Sequence, residues 1–192
     1  MNQGTVNDYL GVYVSADRVK LLRDIATGMN HLHNNGVVHG DLKGANVLVD
    51  EDGIARIADF GLSSFTYEDK IETDTELTGS TRWMAPELFD PDEFHGKTVR
   101  TTYSDVYAFA MTAIEIFSSE KPFRNISKYA VIPRVLKGIR PDRPCVNPAL
   151  GLSDSIWGLM KRCWHQDPGK RPAFAVILQS LGSEPGEFPG VG

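Results

Sequence analysis

Four polar side chains with reactive or metal-binding character fall close together in the first half of the chain. Asp41, Lys43 and Asn46 lie in His39-Gly40-Asp41-Leu42-Lys43-Gly44-Ala45-Asn46, and Asp59 opens Asp59-Phe60-Gly61; Ala85-Pro86-Glu87 follows further on. Carboxylates, an ammonium and a carboxamide are what phosphoryl transfer asks of a protein, because that reaction is mostly positioning and charge neutralisation. A magnesium ion takes hard oxygen ligands, and only a few of them from protein. Taken singly, Asp, Lys and Asn in a loop are usually solvated, and a lone Asp-Phe-Gly says little. The weight rests on the order and spacing of the whole set. His31, His33 and His39 could be read as a metal cluster, but residues two apart on a helix do not share a face. The same argument counts against Cys163 with His165.

The elements that must position these residues are legible around them. Val19, Leu22, Ala26, Met29 and Leu32 recur at helical spacing between Asp17 and His33, with Asp17 as the N-cap. Asn34-Asn35-Gly36 ends that helix. Short β-rich pieces follow at Val37-Val38, Val47-Leu48-Val49 and Ile54 to Ala58, the last two flanking a hairpin turn at Asp50-Glu51-Asp52-Gly53. Ser63 to Ser80 is polar and reads as a long loop. Tyr103 to Phe117 is apolar nearly all round, which predicts a buried helix. Helical patterns return near Lys128–Lys137, Asp154–His165 and Ala173–Leu181. The order excludes an alternating βαβ sheet and favours a helical domain carrying a small β-element.

The bulk composition sets outer bounds. The chain has 192 residues, 41% hydrophobic and 23% charged, with a formal net charge of -5. A chain of this size buries roughly 70% of its unfolded surface, enough for one domain with a real core. The acidic balance argues against a nucleic-acid partner. Cys145 and Cys163 form no C-x-x-C pair, and two reduced thiols suit a cytoplasmic setting. No apolar run is long enough for a membrane segment.

The motif set resembles the protein-kinase signatures H-R-D-L-x-x-x-N, D-F-G and A-P-E. Ser104-Asp105-Val106-Tyr107-Ala108-Phe109 is similar to the start of that family's central buried helix. Cys163-Trp164, Asp167-Pro168 and Arg171-Pro172 are similar to its closing motif. Trp83-Met84-Ala85-Pro86-Glu87 and the step Asp41-Leu42-Lys43 resemble the serine/threonine-type, tyrosine-kinase-like branch. The resemblance runs from about Gly4 to Leu181. It implies a mainly α fold of the α+β family, the kinase C-terminal lobe, in which a small β-hairpin element carries the catalytic and magnesium loops. The lobe is expected over residues 1–182, with a catalytic loop at 39–46 and an activation segment at 59–87, followed by a flexible tail at 183–192. The implied activity is ATP-dependent transfer of a phosphoryl group to Ser or Thr of protein substrates, with ATP and Mg2+ as cofactors. Asp41 then matches the residue that orients the substrate hydroxyl, and Lys43 the cation beside the transferring phosphoryl. Asn46 and Asp59 match the magnesium ligands, and Leu48 the floor beneath adenine. The resemblance also implies a buried Glu87–Arg171 ion pair, backbone hydrogen bonds to Asp105 from the His39–Asp41 turn, and His39 and Phe60 in an apolar column linking two lobes.

Three departures qualify that expectation. Gly40 stands where the family has an Arg that pairs with an activation-loop phosphate, so Thr66, Thr73, Thr75, Thr78, Ser80 and Thr81 would lack that partner. Ser80 replaces the usual Thr and keeps the hydroxyl. The sequence carries no G-x-G-x-x-G loop and no strand Lys with a partnering Glu, so an N-lobe is expected from a longer gene product. The contrasting expectation is a non-catalytic, kinase-like C-lobe that serves as a binding module or is a gene fragment.

Overall fold

In a computed structural model, residues 3–59, 79–90 and 100–182 are described. They form six α-helices and one two-stranded antiparallel sheet. Helix α1 (Val6–Val12) starts at a reciprocal capping box between Thr5 and Asp8, and it buries only Val6 and Leu10. Helix α2 (Arg18–Asn34) is capped by Asp17, whose Oδ1 accepts from Lys20 N at 2.8 Å. Its buried face comprises Leu21, Leu22, Ile25, Ala26 and Met29, the one-sided stripe that a 3.6-residue period produces.

Strands β1 (Val47–Val49) and β2 (Ala55–Ile57) pair with Val47 opposite Ile57 and Val49 opposite Ala55. The Asp50–Gly53 turn joins them, and Asp50 Oδ1 accepts from Asp52 N and Ile54 N. Val37 and Val38, expected to be β, form no strand. They are β-branched, but among the described residues no strand pairs with them to complete a ladder, and propensity alone does not make a strand. The residues at 63–78 and 183–192, read as a loop and a tail, lie outside the described residues.

Helix α3 (Thr102–Ser118) is the axis of the domain. Thr101 and Ser104 cap it reciprocally, and every residue from Ser104 to Phe117 is buried. Helices α4 (Lys128–Leu136), α5 (Asp154–Cys163) and α6 (Phe174–Gly182) complete the layer, with α5 packed on α3 and α6 on α2. Phe174 of α6 meets Phe109 of α3 and His33 of α2 edge-on, with ring centroids at 5.4 and 5.0 Å.

The expected Glu87–Arg171 pair is present and buried. Arg171 Nη1 and Nη2 donate to Glu87 Oε1 and Oε2 at 2.6 and 2.8 Å. Arg171 also donates to the carbonyls of His165 and Tyr103, so one guanidinium ties Glu87, the start of α3 and the loop after α5 into one node. Removing either partner strands a buried charge, at a cost of about 3–5 kcal/mol. Arg171→Ala is expected to cost more than Glu87→Ala, because it also frees the carbonyls of His165, Tyr103 and Gln166. The double variant is expected to lose less than the two single losses together. Denaturant melts of the three variants measure this, and strictly additive losses would mean the pair carries no coupling.

Candidate active site

The loop at 39–46 takes its shape from Asp105, near the N-terminus of α3. Asp105 Oδ2 accepts from His39 N at 2.8 Å and from His33 Nε2 at 2.9 Å, and Oδ1 accepts from Gly40 N at 2.8 Å. Two successive backbone amides pointing at one carboxylate force a sharp turn, and Gly40 sits there at φ 79°. Glycine adopts that conformation without strain, whereas a residue with a Cβ does not. His39 is fully buried. Its Nδ1 accepts from Asp41 N and its Nε2 faces the Ala58 carbonyl at 3.1 Å. That pattern assigns the proton to Nε2.

Asp41, Lys43 and Asn46 come together around one carboxylate. Lys43 Nζ donates to Asp41 Oδ2 at 2.8 Å and to Ser80 Oγ at 2.7 Å. Asn46 Nδ2 donates to the Asp41 carbonyl at 2.8 Å and to Asp41 Oδ2 at 3.0 Å. Both contacts are to acceptors, so the amide NH2 must face them and Asn46 Oδ1 points the other way. The hydroxyl of Ser80 thus meets the loop cation directly.

Asp59 lies beyond the open end of the hairpin. Ala58 N donates to the Asn46 carbonyl at 2.9 Å, extending the β1–β2 ladder by one step. The ladder therefore carries Asn46 and Asp59 to the same end. Asp59 is exposed at φ 54°, a left-handed conformation uncommon for a residue with a side chain. Leu48 is half-buried between the fully buried Val47 and Val49, so the alternation of β1 turns it to the other face. The start of the chain runs along β1, with Gln3 N donating to Val49 O and Val49 N to Gly4 O. Phe60, the expected stacking partner of His39, lies outside the described residues.

A profile of the protein tyrosine and serine/threonine kinase family matches residues 1–181. The chain belongs to the protein kinase family. Among similar kinases, the serine/threonine-protein kinase STY17 of Arabidopsis thaliana is 34% identical over 94% of this chain and 30% of its own length. A probable serine/threonine-protein kinase of Dictyostelium discoideum is 38% identical over 86% of this chain and 17% of its own. The human tyrosine-protein kinase TXK is 32% identical over 94% of this chain and 33% of its own. The chain spans about a third or less of the length of these curated relatives. The fold, helical with one small hairpin, is that of the kinase C-terminal lobe.

Two buried charged residues around the candidate site were missed by sequence reasoning. Glu115 of α3 is buried, and its carboxylate accepts from three elements: Asn7 Nδ2 of α1 at 2.7 Å, Gly44 N at 2.9 Å and Trp83 Nε1 at 2.9 Å. Burial pushes its carboxyl above the ordinary value, against the pull of those donors and of Lys43. A Cβ on Gly44 would come within 2.8 Å of both the Asn7 carboxamide and the Glu115 carboxyl carbon, so only glycine lets the loop approach this closely. Arg82 is also buried, and its guanidinium donates to the carbonyls of Pro122, Phe123 and Ile126. A charged residue within the apolar run around Ile114 and Ile116 is the signal that could have found Glu115, since a buried charge must have partners.

Glu115 generates a pH-dependent prediction. A carboxyl with a folded-state value above its unfolded one binds more protons when folded, so its contribution to stability falls as pH rises through the interval just above 4.5. Glu115→Gln should remove that decline from a stability–pH profile. Glu115→Ala, which leaves three donors without an acceptor, should cost about 2–4 kcal/mol at neutral pH. Urea melts from acidic to neutral pH measure both; an unchanged slope in Glu115→Gln would contradict the assignment.

Proposed function

We propose that this chain is the C-terminal lobe of a kinase that moves the γ-phosphoryl group of ATP to a Ser or Thr hydroxyl of a protein substrate. The observation that carries the reading is the arrangement at Asp41: one carboxylate held by Lys43 and Asn46, with Lys43 reaching on to the Ser80 hydroxyl. A carboxylate so fixed can orient an incoming hydroxyl and accept its proton as the new P–O bond forms and the bond to the β-phosphate breaks. The Lys43 ammonium stands where negative charge on the transferring group would gather. Leu48 would meet the adenine from below.

The donor set suits magnesium. Asn46 Oδ1 is turned away from Asp41, and no hydrogen bond or ion pair among the described residues engages the Asp59 carboxylate; both are hard oxygens. Magnesium, when bound, would neutralise phosphate charge. Asn46 and Asp59 would hold it.

Support for serine or threonine over tyrosine comes from the Asp41-Leu42-Lys43 step and the Lys43–Ser80 contact. Gly40 supports a catalytic loop that needs no activation-loop phosphate.

The test is phosphoryl transfer to protein by a longer product that supplies the N-lobe. Asp41→Ala is expected to lower kcat by about 10²–10⁴, with phosphoserine and phosphothreonine as products. Full activity in Asp41→Ala, or a longer product with no transfer at all, would instead favour a non-catalytic binding module.

The 192-residue chain by itself should bind magnesium–ATP weakly, because the reading gives it only one side of the nucleotide site. Asp59→Ala should abolish the magnesium dependence of that binding in calorimetry. Tight, magnesium-dependent binding that survives Asp59→Ala would remove the metal assignment.

A further inference from the structure

The segment that carries Ser80 is held at three points. Ser80 Oγ accepts from Lys43 Nζ at 2.7 Å, and Trp83 Nε1 donates to Glu115 Oε2 at 2.9 Å. Between them in the chain, Arg82 reaches into the loop that follows α3. Its side chain is buried, and its guanidinium donates to the carbonyls of Pro122, Phe123 and Ile126 at 2.9, 2.5 and 2.6 Å. Trp83 N donates to Ser80 O at 2.9 Å, so residues 80–83 close into one tight turn. In a turn that short, a shift at one anchor is passed to the others.

The loop that receives Arg82 is itself strained. Ser119 and Phe123 sit at φ 56° and 55°, and positive φ is an outlier for a residue as bulky as Phe. Such a conformation persists only where the surroundings over-determine it. Here the Phe123 side chain is buried in the core, and its carbonyl accepts from both Ile126 N and Arg82 Nη1. Three carbonyls from a separate stretch of chain thus converge on one guanidinium. A planar fork of donors suits that arrangement, whereas the ammonium of a lysine is a point charge on a flexible stem. The described partners of Arg82 are all carbonyls, so the contact fixes the position of one backbone against another and neutralises no charge.

Resting on the phosphotransferase reading above, we propose that Arg82 is a positioning residue for phosphoryl transfer: it clamps the 80–83 turn to the loop after α3 and so keeps the Ser80 hydroxyl on Lys43. None of its described hydrogen bonds reaches Asp41, Lys43, Asn46 or Asp59, so it acts through Ser80. The Trp83–Glu115 contact fixes one end of the turn and by itself leaves the turn able to pivot about the indole. Arg82 supplies the second fixed point. With the pivot removed, the Lys43 ammonium is shared between Ser80 Oγ and Asp41 Oδ2 and stays beside the carboxylate that orients the acceptor. Lys43 stands where charge on the transferring group gathers, so the effect of Arg82 falls on the chemical step and not on nucleotide affinity.

Two measurements test this. In the 192-residue chain, amide hydrogen exchange reads the turn directly. Arg82→Ala should speed exchange at Trp83 N, which is bonded to Ser80 O, by about tenfold, while the amides of α3 keep their rates. In the longer product that supplies the N-lobe, Arg82→Ala and Ser80→Ala should each lower kcat about tenfold with the KM for ATP unchanged. The double variant should also fall about tenfold and not about a hundredfold, because Arg82 acts only through the Ser80 hydroxyl. Arg82→Lys keeps the charge without the fork and should recover part of kcat; it takes the place of Arg82→Ala in the cycle if the alanine variant does not fold. Independent losses that multiply in the double variant, a KM for ATP that rises as kcat falls, or an unchanged Trp83 exchange rate would overturn the proposal. Absence of transfer by the wild-type product would remove the phosphotransferase reading and this inference with it, whereas transfer that the Arg82 variants leave intact would overturn the inference alone.

Discussion

One helix holds the 39–46 loop at two points, and the rest of the candidate site depends on that. Asp105 takes the amides of His39 and Gly40 at the front of the loop, and Glu115 takes the amide of Gly44 near its end. The two carboxylates are separated by about 15 Å of α3 at 1.5 Å per residue. Hydrogen bonds to a charged acceptor are worth about 1.5–3 kcal/mol each, more than neutral ones. A carboxylate within an otherwise apolar helix is costly unless every lone pair finds a donor. Here backbone amides of the loop supply three of the donors, with the side chains of His33, Asn7 and Trp83 supplying the others, so the burial cost and the loop geometry are met in part by the same contacts.

What lies between the two pegs follows from them. With His39, Gly40 and Gly44 fixed, the backbone of Asp41, Leu42 and Lys43 spans a short gap with little freedom. Leu42 is fully buried, which leaves its neighbours Asp41 and Lys43 on the open side of the loop. Glu115 extends the same control outward. Through Trp83 it positions the segment that carries Ser80, and through Asn7 it positions α1 and with it the first residues that run along β1. The distance between Lys43 and Ser80 is therefore set from beneath by a residue that touches neither.

Much of this was legible in the sequence, and the reasons are particular. The motif order pointed to Asp41, Lys43, Asn46 and Asp59, and the fold brings the first three together around one carboxylate and carries Asp59 to the same end of the hairpin as Asn46. The helices α2, α3, α5 and α6 announced themselves through long apolar periods. Helix α1 did not, since a seven-residue helix burying only Val6 and Leu10 offers one pair and no period. Val37 and Val38 misled in the other direction: two β-branched residues look like a strand, but a strand needs a neighbour, and neighbours are not written locally. Glu115 and Arg82 were hidden for the opposite reason. Arg82 is held by backbone carbonyls, and Glu115 by one backbone amide and the side chains of Asn7 and Trp83, all far away in the chain, so nothing local announces either residue.

Gly40 shows how one substitution can act on two levels at once. The twin amides donated to Asp105 demand a positive φ at this position, whatever residue occupies it. An arginine there would hold the turn under strain, a cost of order 1–3 kcal/mol that the surroundings must offset. In the family pattern such an arginine also offers its guanidinium to a phosphate on the activation loop, so strain and phosphate binding go together. Glycine removes both. The loop rests in its turned conformation on the contacts to Asp105 and Glu115. On the proposed reading, the loss of the arginine is therefore a change in what holds the catalytic loop, from a modification-dependent contact to a backbone conformation that costs little to keep.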